Sequence, residues 1–198
     1  SELGRSGAVW IRGARLRTIP LAFGPVLLGS ASAGHAGAFD ALLAALALGV
    51  AVSLQIGVNY ANDYSDGIRG TDAYRVGPAR LTGSGQVEAR LVKRAAIISF
   101  GVATLAGMVL IAVSGIWWLV LVGALSLWAA WTYTGGTNPY GYQGLGEVVG
   151  FIFFGPVATA GTAYVQVGVV PIDSLVTGLG MGFFAAAVLL INNCETSL

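Results

Sequence analysis

Carboxylate, amide and guanidinium side chains are concentrated in one stretch of the chain, residues 55–80. The stretch contains three aspartates, three amides and three arginines, and it follows a long apolar run. Four of its side chains have the i, i+3, i+4, i+7 spacing that places them on one face of a helix: Asn59, Asn62, Asp63 and Asp66. Gln55 lies one turn deeper on the same stripe. Crowded carboxylates resist ionising together unless a cation relieves them, and polar groups are costly inside a membrane helix. The pattern predicts a cation site facing the interior of a membrane bundle.

The oxygen side chains of this stretch suit Mg²⁺. This ion takes about six oxygen ligands, keeps several waters, and typically bridges one or two carboxylates to substrate phosphates. Gly67 and Gly70 should allow the chain to leave the helix and to fold Asp72 back over the site. The predicted metal ligands are Asn62, Asp63, Asp66 and Asp72.

The arginines of the stretch carry fixed positive charge that suits phosphate oxygens. They are Arg69, Arg75 and Arg80. A carboxylate–magnesium–diphosphate arrangement surrounded by arginine is therefore chemically coherent. The alternative is a hydrated interfacial loop whose charges only set the topology. The helical spacing of the amides and acids, which continues back into the apolar run, favours the metal site.

Composition places the 198-residue chain in the membrane class. Only 10% of its residues are charged and 56% are hydrophobic, with a mean hydropathy of +0.77, whereas a soluble domain carries about 25% charged residues. Cys194 is the only cysteine and His35 the only histidine. These counts exclude an internal disulfide, a thiolate metal cluster and a histidine-based catalytic triad.

Six apolar segments approach the ~20 residues that cross a hydrocarbon core. They are residues 19–33, 39–60, 95–113, 116–134, 148–168 and 172–193. The first is short, and Gly155-Pro156 predicts a kink in the fifth. We expect an all-α integral membrane protein with a single transmembrane domain over residues 1–198 and polar loops at 63–94 and 135–147.

The basic residues predict the orientation. One cluster precedes the first segment, a second lies between the second and third, and no lysine or arginine follows Arg94. The positive-inside rule makes this face cytoplasmic, which predicts a multi-pass protein of the cell (inner or plasma) membrane with its active site on the cytoplasmic side. A cleavable signal peptide ending near Ala33 is an alternative for the N-terminal part, but it would leave the basic middle loop unexplained.

Three segments of the chain resemble a known family. NYANDYSDGIRGTD (59–72) with RVGPARLTGSG (75–85) resembles the first aspartate-rich signature of the UbiA-type membrane prenyltransferases. RLRTIPLAFGPVLLG (15–29) resembles the first helix of the branch that prenylates 1,4-dihydroxy-2-naphthoate in menaquinone biosynthesis. YTGGTNPYGYQGLGEVVGFIFFGPVATAGTAYVQ (133–166) resembles the connection between its fourth and fifth helices. The resemblance covers nearly the whole chain.

The resemblance implies a ring of nine transmembrane helices around a central cavity, of which about six are present. It implies that Mg²⁺ activates a polyprenyl diphosphate, and that the naphthoate ring attacks the resulting allylic cation and loses its carboxyl group, giving demethylmenaquinone. The implied partners are polyprenyl diphosphate, 1,4-dihydroxy-2-naphthoate and the lipid bilayer, with no nucleic acid. By position the predicted metal ligands match the first motif, and Arg75 and Arg80 are the main candidates for diphosphate contacts.

The glycine-rich loop at 135–147 is expected to act as a lid over the polar end of the cavity, with Tyr133 near the aromatic acceptor. Residues of the loop and of the last helix end complete this expected acceptor region: Tyr133, Tyr140, Asn192 and Asn193. Tyrosines at an interfacial belt are an equally reasonable interpretation.

The chain departs from the family after Asn192-Asn193, which begin the second motif. Thr196 stands where the first aspartate of that motif is expected. We therefore expect the 198 residues alone to be inactive. Two other classes remain as alternatives: a CDP-alcohol phosphotransferase, which Asp63-Tyr64-Ser65-Asp66-Gly67 resembles superficially, and a cation transporter or non-catalytic fragment. A transporter needs a polar path across the bilayer, and the last four segments are almost free of ionisable groups.

Overall fold

A computed structural model of the protein describes residues 2–69, 81–133 and 145–194, with the side chains of 2–6 and 192–194 left out. Within these ranges all regular secondary structure is helical. The helices are α1 (Glu2–Ala14), α2 (Pro20–His35), α3 (Ala41–Arg69), α4 (Ala89–Ser114), α5 (Leu119–Thr132), α6 (Gly146–Ile152), α7 (Ala158–Val167) and α8 (Ile172–Cys194). A short 3₁₀ turn, Leu16–Thr18, precedes α2, and a π-helical turn, Phe153–Val157, joins α6 to α7.

Each of the six apolar segments predicted from the sequence forms a helix, so the all-α membrane fold is confirmed. Four helical segments in the described ranges are long and apolar enough to cross a bilayer: Ala41–Arg69, Ala89–Ser114, Gly146–Val167 and Ile172–Ile191. The other two, α2 and α5, have 16 and 14 residues. Large apolar side chains such as Leu105 and Phe183, each 68% exposed, point outward from the bundle, as a lipid-facing surface requires.

The predicted polar loop at 63–94 differs from the structure at both ends. Helix α3 continues through residues 63–69, and α4 begins at Ala89. The last turns of α3 carry Asp63, whose carboxylate accepts hydrogen bonds from the backbone N–H groups of Leu81 and Thr82. These bonds help to hold the end of the helix in place. The predicted loop at 135–147 likewise ends earlier, since α6 begins at Gly146; residues 134–144 lie outside the described ranges.

Helix α1 was not predicted as an element. It is amphipathic, and its apolar side packs on the C-terminal end of α3. The Tyr60 hydroxyl donates a hydrogen bond to the Trp10 carbonyl oxygen at 2.9 Å, and the two rings meet edge to face with centroids 5.8 Å apart. Arg15 ends this helix in the left-handed conformation, with φ of 50°, which is uncommon for a residue other than glycine.

Helix α2 is an integral part of the bundle, packed against α3, α7 and α8. At the end away from α1, the Ser32 hydroxyl donates to the Asp173 carboxylate at 2.7 Å. Gln166 donates to the Ser30 hydroxyl at 3.3 Å and accepts from the Asp40 backbone N–H at 2.9 Å. These bonds join α2 to α7 and α8 and join α7 to the residue that precedes α3.

The π-helical turn lies where the sequence predicted a kink, at Gly155-Pro156. A π-helical turn inserts an extra residue and is a common cause of helix bending. The helix is held against α8 there by very close backbone contact. A Cβ atom on Gly155 would lie 2.6 Å from the Gly178 carbonyl oxygen and 2.6 Å from the Gly182 Cα, so only glycine fits at this crossing.

The buried apolar side chains form two clusters near opposite ends of α3. One joins α1, α3, residue 81 and α4: Ala14, Tyr60, Ala61, Leu81, Val92 and Ala96. The other joins α2, α3, α4 and α7: Val26, Leu43, Ala47, Leu110, Ile111 and Val165. Five of the six residues of the second cluster, all except Leu43, also line a cavity of the bundle.

Candidate active site

The cavity has a volume of about 900 Å³ and runs between α2, α3, α4, α5 and the α6–α7 helix. Most of its wall is apolar, including Val50, Leu54, Leu127, Val149 and Phe153. Charged and polar side chains of the wall gather where α1, α3, α5 and α6 meet: Arg15, Asn62, Asp66, Tyr133 and Glu147. The cavity therefore suits a long apolar molecule with a polar head group.

The polar stripe of α3 faces this cavity, as its spacing predicted. Gln55, Asn59, Asn62 and Asp66 all line the wall. Three of them are nearly inaccessible, with exposed fractions of 5% for Gln55, 3% for Asn59 and 7% for Asp66. The helix thus places a carboxylate and three amides at successive depths of one otherwise apolar chamber.

Asp63 is placed differently from the rest of the stripe. Its side chain is 1% exposed, and it is absent from the cavity wall. The two carboxylate oxygens accept hydrogen bonds from the backbone N–H groups of Leu81 and Thr82, each at 2.9 Å. Asp63 therefore fastens the chain that follows residues 70–80 to the side of α3.

Gly67 was predicted to let the chain leave the helix, and this prediction is wrong because α3 continues to Arg69. The structure gives another reason for glycine at this position. A Cβ atom on Gly67 would lie 2.4 Å from the Thr82 side chain and 3.2 Å from the Gly83 backbone nitrogen. The absent side chain leaves room for the segment that Asp63 holds.

Arg69, a predicted diphosphate contact, lies outside the main cavity. It borders a separate cavity of about 200 Å³ together with Tyr64, Lys93 and Trp131. The Lys93 ammonium lies 5.6 Å from the centre of the Tyr64 ring. Arg69 lies at the C-terminal end of α3, one turn beyond Asp66, and its contact with diphosphate stays a prediction.

Tyr133 lines the cavity close to the start of α6, as expected of a residue near the polar end. Glu147 and Arg15 line the same end. From the sequence, Arg15 was assigned only to the basic cluster that predicts the orientation in the membrane. A lone arginine before an apolar run gives no signal of its own, and its place in the wall follows from the left-handed turn that ends α1.

The side chains of several predicted site residues lie outside the described part of the structure. Asp72, Arg75, Arg80 and Tyr140 lie outside the described ranges. Asn192 and Asn193 belong to the end of α8, but their side chains are not described. Leu189, one turn earlier on α8, lines the cavity, so this helix end lies near the chamber.

Asn59 has a structural role at the junction of α1, α2 and α3. Its Nδ2 donates to the Ala14 carbonyl oxygen at 2.8 Å and to the Thr18 hydroxyl at 2.9 Å. The Thr18 hydroxyl in turn donates to the Arg15 carbonyl oxygen at 2.9 Å. Gln55 Nε2 points to Asn59 Oδ1 at 3.4 Å. This network holds the turn that carries Arg15 against the polar face of α3.

The side chains at the polar end suit a metal ion that is also coordinated by a bound ligand such as a phosphate. In the part of the chain that the structure describes, no three His, Cys, Asp or Glu side chains cluster as a metal cage. A phosphate-bridged Mg²⁺ needs only one or two carboxylates and keeps several waters. Asp66 offers a carboxylate and Asn62 an amide oxygen on the same wall, which matches that second kind of site.

Comparison with known proteins identifies similar sequences along almost the whole chain. The sequence model of the UbiA prenyltransferase family matches residues 22–196. The 1,4-dihydroxy-2-naphthoate octaprenyltransferase of Mycobacterium tuberculosis is 50% identical over 95% of this chain. The proteins of the same name from Escherichia coli and Bacillus subtilis are 40% and 31% identical, over 97% and 90% of it. The chain spans 64% of the length of the first two relatives and 58% of the third.

Proposed function

The chain belongs to the UbiA prenyltransferase family, and from this premise we propose that the protein transfers a polyprenyl group from polyprenyl diphosphate to 1,4-dihydroxy-2-naphthoate. The relatives that carry this activity in their names are up to 50% identical to the chain, which supports the same substrates here. Family membership removes the support for a CDP-alcohol phosphotransferase.

One observation carries the proposal: a cavity of about 900 Å³ with an apolar wall and a charged end. A polyprenyl diphosphate has the matching form, an apolar chain with an anionic head group. The charged end supplies Asp66, Asn62 and Arg15 for the head group. The apolar wall would bury the prenyl chain, and each Å² of apolar surface removed from water stabilises the complex by about 25 cal/mol.

Each side chain at the charged end has a proposed task. Asp66 and Asn62 would hold Mg²⁺, which supplies charge stabilisation for the departing diphosphate. Arg15 contributes a guanidinium suited to phosphate oxygens. Arg75 and Arg80 remain proposed diphosphate contacts and Asp72 a proposed metal ligand.

Asp63 acts in this proposal as a positioning residue. By accepting the Leu81 and Thr82 N–H groups, it fixes the point to which the segment 70–80 returns. That segment contains Asp72, Arg75 and Arg80, so Asp63 would limit where these side chains can reach.

The reaction replaces a carboxylate by a prenyl group. The allylic C–O bond breaks and the electron pair leaves with diphosphate; a ring carbon then forms the C–C bond, and the carboxylate departs as carbon dioxide. No net proton is required. The apolar wall, with Leu54, Val58 and Phe153, would exclude water that could otherwise capture the allylic cation. Tyr133 is proposed to lie beside the aromatic acceptor.

The proposed location is the cell membrane, with the charged end of the cavity on the cytoplasmic side. Arg12, Arg17, Arg90 and Arg94 all lie on helices or turns near that end, which the positive-inside rule associates with the cytoplasm.

The proposal is tested with the full-length gene product in liposomes that contain polyprenyl diphosphate, 1,4-dihydroxy-2-naphthoate and Mg²⁺. We expect prenylated product, and a fall of at least about 100-fold in kcat for Asp66→Asn because a transition-state charge interaction is lost. Asp173→Asn, the same change at the opposite face, should retain activity. Absence of product from the unaltered protein, or cleavage of a CDP-alcohol in its place, would contradict the proposal.

A further inference from the structure

The smaller cavity of about 200 Å³ lies on a different face of α3 from the proposed active site. Four residues of α3 border it, and they have the i, i+3, i+4, i+7 spacing of one helical face: Ala61, Tyr64, Ser65 and Ile68. At about 100° per residue, this face points about 140° away from the polar stripe that lines the main cavity. The smaller cavity is therefore a separate feature of the bundle.

Its remaining wall comes from the ends of three helices. Lys93 lies in the second turn of α4, Trp131 is the residue before the last of α5, and Arg69 ends α3. The Trp131 ring packs edge to face on Phe100 of α4, with centroids 6.4 Å apart. Because the wall is made of helix ends at the basic face, the smaller cavity lies at the boundary between membrane and water.

The charge around the smaller cavity is positive. The described residues that border it include two cations and no acid. The Lys93 ammonium lies 5.6 Å from the centre of the Tyr64 ring, a distance at which a cation and an aromatic ring attract each other. The ring does not neutralise the charge, and Glu88, the acid nearest to Lys93 in sequence, lies 3.8 Å from Arg90. The cavity therefore suits an anionic group.

The size and the surroundings of the smaller cavity limit what that group can be. Sites for whole ligands measure about 300–1,000 Å³, so about 200 Å³ admits a head group only. Exposed apolar side chains lie within a turn of it, with exposed fractions of 56% for Ile68, 52% for Ile97 and 65% for Trp128. An anionic head group attached to a hydrocarbon chain matches both features.

We propose that the smaller cavity binds the phosphate group of an anionic phospholipid from the surrounding bilayer. The Lys93 ammonium donates hydrogen bonds to the phosphate oxygens, and Tyr64 and Trp131 lie at the head-group level, where such rings are enriched. Basic pockets between transmembrane helices are known to hold anionic lipid head groups. A zwitterionic lipid carries its own cation beside the phosphate and gains less from Lys93.

The first part of the test measures lipid selectivity. The full-length gene product in detergent is equilibrated with equal amounts of phosphatidylglycerol and phosphatidylcholine that have identical acyl chains, and native mass spectrometry counts the lipid retained. We expect about tenfold more phosphatidylglycerol at the tightest site, since basic residues near a membrane surface each attract anionic lipid several-fold. Equal retention of the two lipids would overturn the inference.

The second part separates a lipid from a free phosphate compound. Soluble glycerol phosphate carries the phosphate group without acyl chains. Added at the concentration of the lipid, it should leave the retained phosphatidylglycerol unchanged, because it cannot bury a chain against the apolar residues beside the cavity. Displacement of the lipid under these conditions would show that the cavity takes free phosphate compounds, and the lipid assignment would be wrong.

The third part uses variants of Lys93, because Arg69 is also a predicted diphosphate contact. Lys93→Gln should lower the preference for phosphatidylglycerol about fivefold, equivalent to about 1 kcal/mol, and Lys93→Arg should keep most of it. The matched control is Arg94→Gln, which removes the same charge at the next residue. Arg94 is exposed and does not border the cavity, so the preference should remain about tenfold.

Each other result counts against the inference. An unchanged preference in Lys93→Gln would show that the cavity does not select the lipid. Equal losses in Lys93→Gln and Arg94→Gln would indicate diffuse attraction to the basic face, and a full loss in Lys93→Arg would show that charge is not the selecting property. Prenyl transfer enters none of these measurements, so the proposed function is tested separately.

Discussion

At the residue scale, Asp63 and Asp66 lie three positions apart on α3 and have different surroundings. Asp66 lines the cavity. Asp63 turns to the chain beyond residue 80 and accepts two backbone hydrogen bonds. Two aspartates that the sequence assigns to one metal site therefore divide into one that lines the cavity and one that binds the backbone at Leu81 and Thr82.

The two backbone hydrogen bonds to Asp63 predict that Asp63→Asn lowers the stability of the protein. Asparagine keeps one acceptor oxygen but turns an NH₂ group toward the other backbone N–H. Hydrogen bonds to charged groups contribute about 1.5–3 kcal/mol each, so the melting temperature in detergent should fall by several degrees. Glu88→Gln, the same loss of charge at a carboxylate that is 66% exposed, serves as the control and should melt within about a degree or two of the unaltered protein.

The variants Asp63→Asn and Asp66→Asn should differ in their affinity for magnesium and diphosphate. Asp66→Asn is expected to lose most of this affinity while remaining folded. If both variants show the same loss of stability and the same loss of binding, the two aspartates share one task, and the assignment of Asp63 as a positioning residue is wrong.

The sequence could predict the helical face of Asn59, Asn62 and Asp66 because helical spacing is a local property. It could not predict the partner of Asp63, which lies 18 residues away across a segment without a periodic pattern. The position of Arg15 in the cavity wall could not be predicted for the same reason, since it depends on how α1 packs on α3.

At the element scale, the crossing of the α6–α7 helix with α8 depends on glycine. Gly155 contacts the backbone at Gly178 and Gly182, and the π-helical turn lies at this contact. Phe153, Phe154 and Val157 of the same turn line the cavity. The crossing therefore determines how far these side chains project into the cavity.

We predict that Gly155→Ala destabilises the protein by about 1–3 kcal/mol, because the added methyl group overpacks against backbone that cannot rotate away. Gly180→Ala on α8 is the matched control. No atom lies within 4 Å of a Cβ at Gly180, and alanine is the better helix former by up to about 1 kcal/mol. Thermal unfolding in detergent measures both, and an unchanged melting temperature for Gly155→Ala would contradict the packing argument.

Helix existence was easier to predict than helix ends. The apolar runs identify the membrane segments because a bilayer requires internally satisfied helices of a minimum length. Hydropathy falls at Asn62, whereas α3 continues to Arg69, since tertiary hydrogen bonds stabilise its last two turns. A search for continuous apolar runs does not find helix α1, because its apolar residues are spaced along one face of the helix.

Across the whole molecule, the helices enclose a cavity that extends along α3 from Ala47 to Asp66. Its wall comes from parts of the chain that are distant in sequence, from Arg15 to Leu189. No local pattern specifies such a volume, so the sequence predicted the cavity only through family resemblance, and its size follows from the helix crossings.

Narrowing the chamber below Gln55 should affect long prenyl donors selectively. Ala51 lines the cavity one turn deeper than Gln55, about 22 Å along the axis from Asp66. Ala51→Phe is expected to raise the KM for a long polyprenyl diphosphate about tenfold and to leave dimethylallyl diphosphate unaffected. Leu105→Phe, at a position 68% exposed on the outer surface, is the control. Equal effects on both donors would show that the prenyl chain does not follow this wall.

We propose that Asp66 binds a magnesium-linked diphosphate at the charged end of the apolar cavity. The most direct measurement is the affinity of the full-length gene product in nanodiscs for an unreactive polyprenyl diphosphate analogue, with and without Mg²⁺. We expect at least tenfold tighter binding with Mg²⁺ in the unaltered protein, and no such gain in Asp66→Asn. Binding that is indifferent to Mg²⁺, or a full magnesium effect in Asp66→Asn, would contradict it.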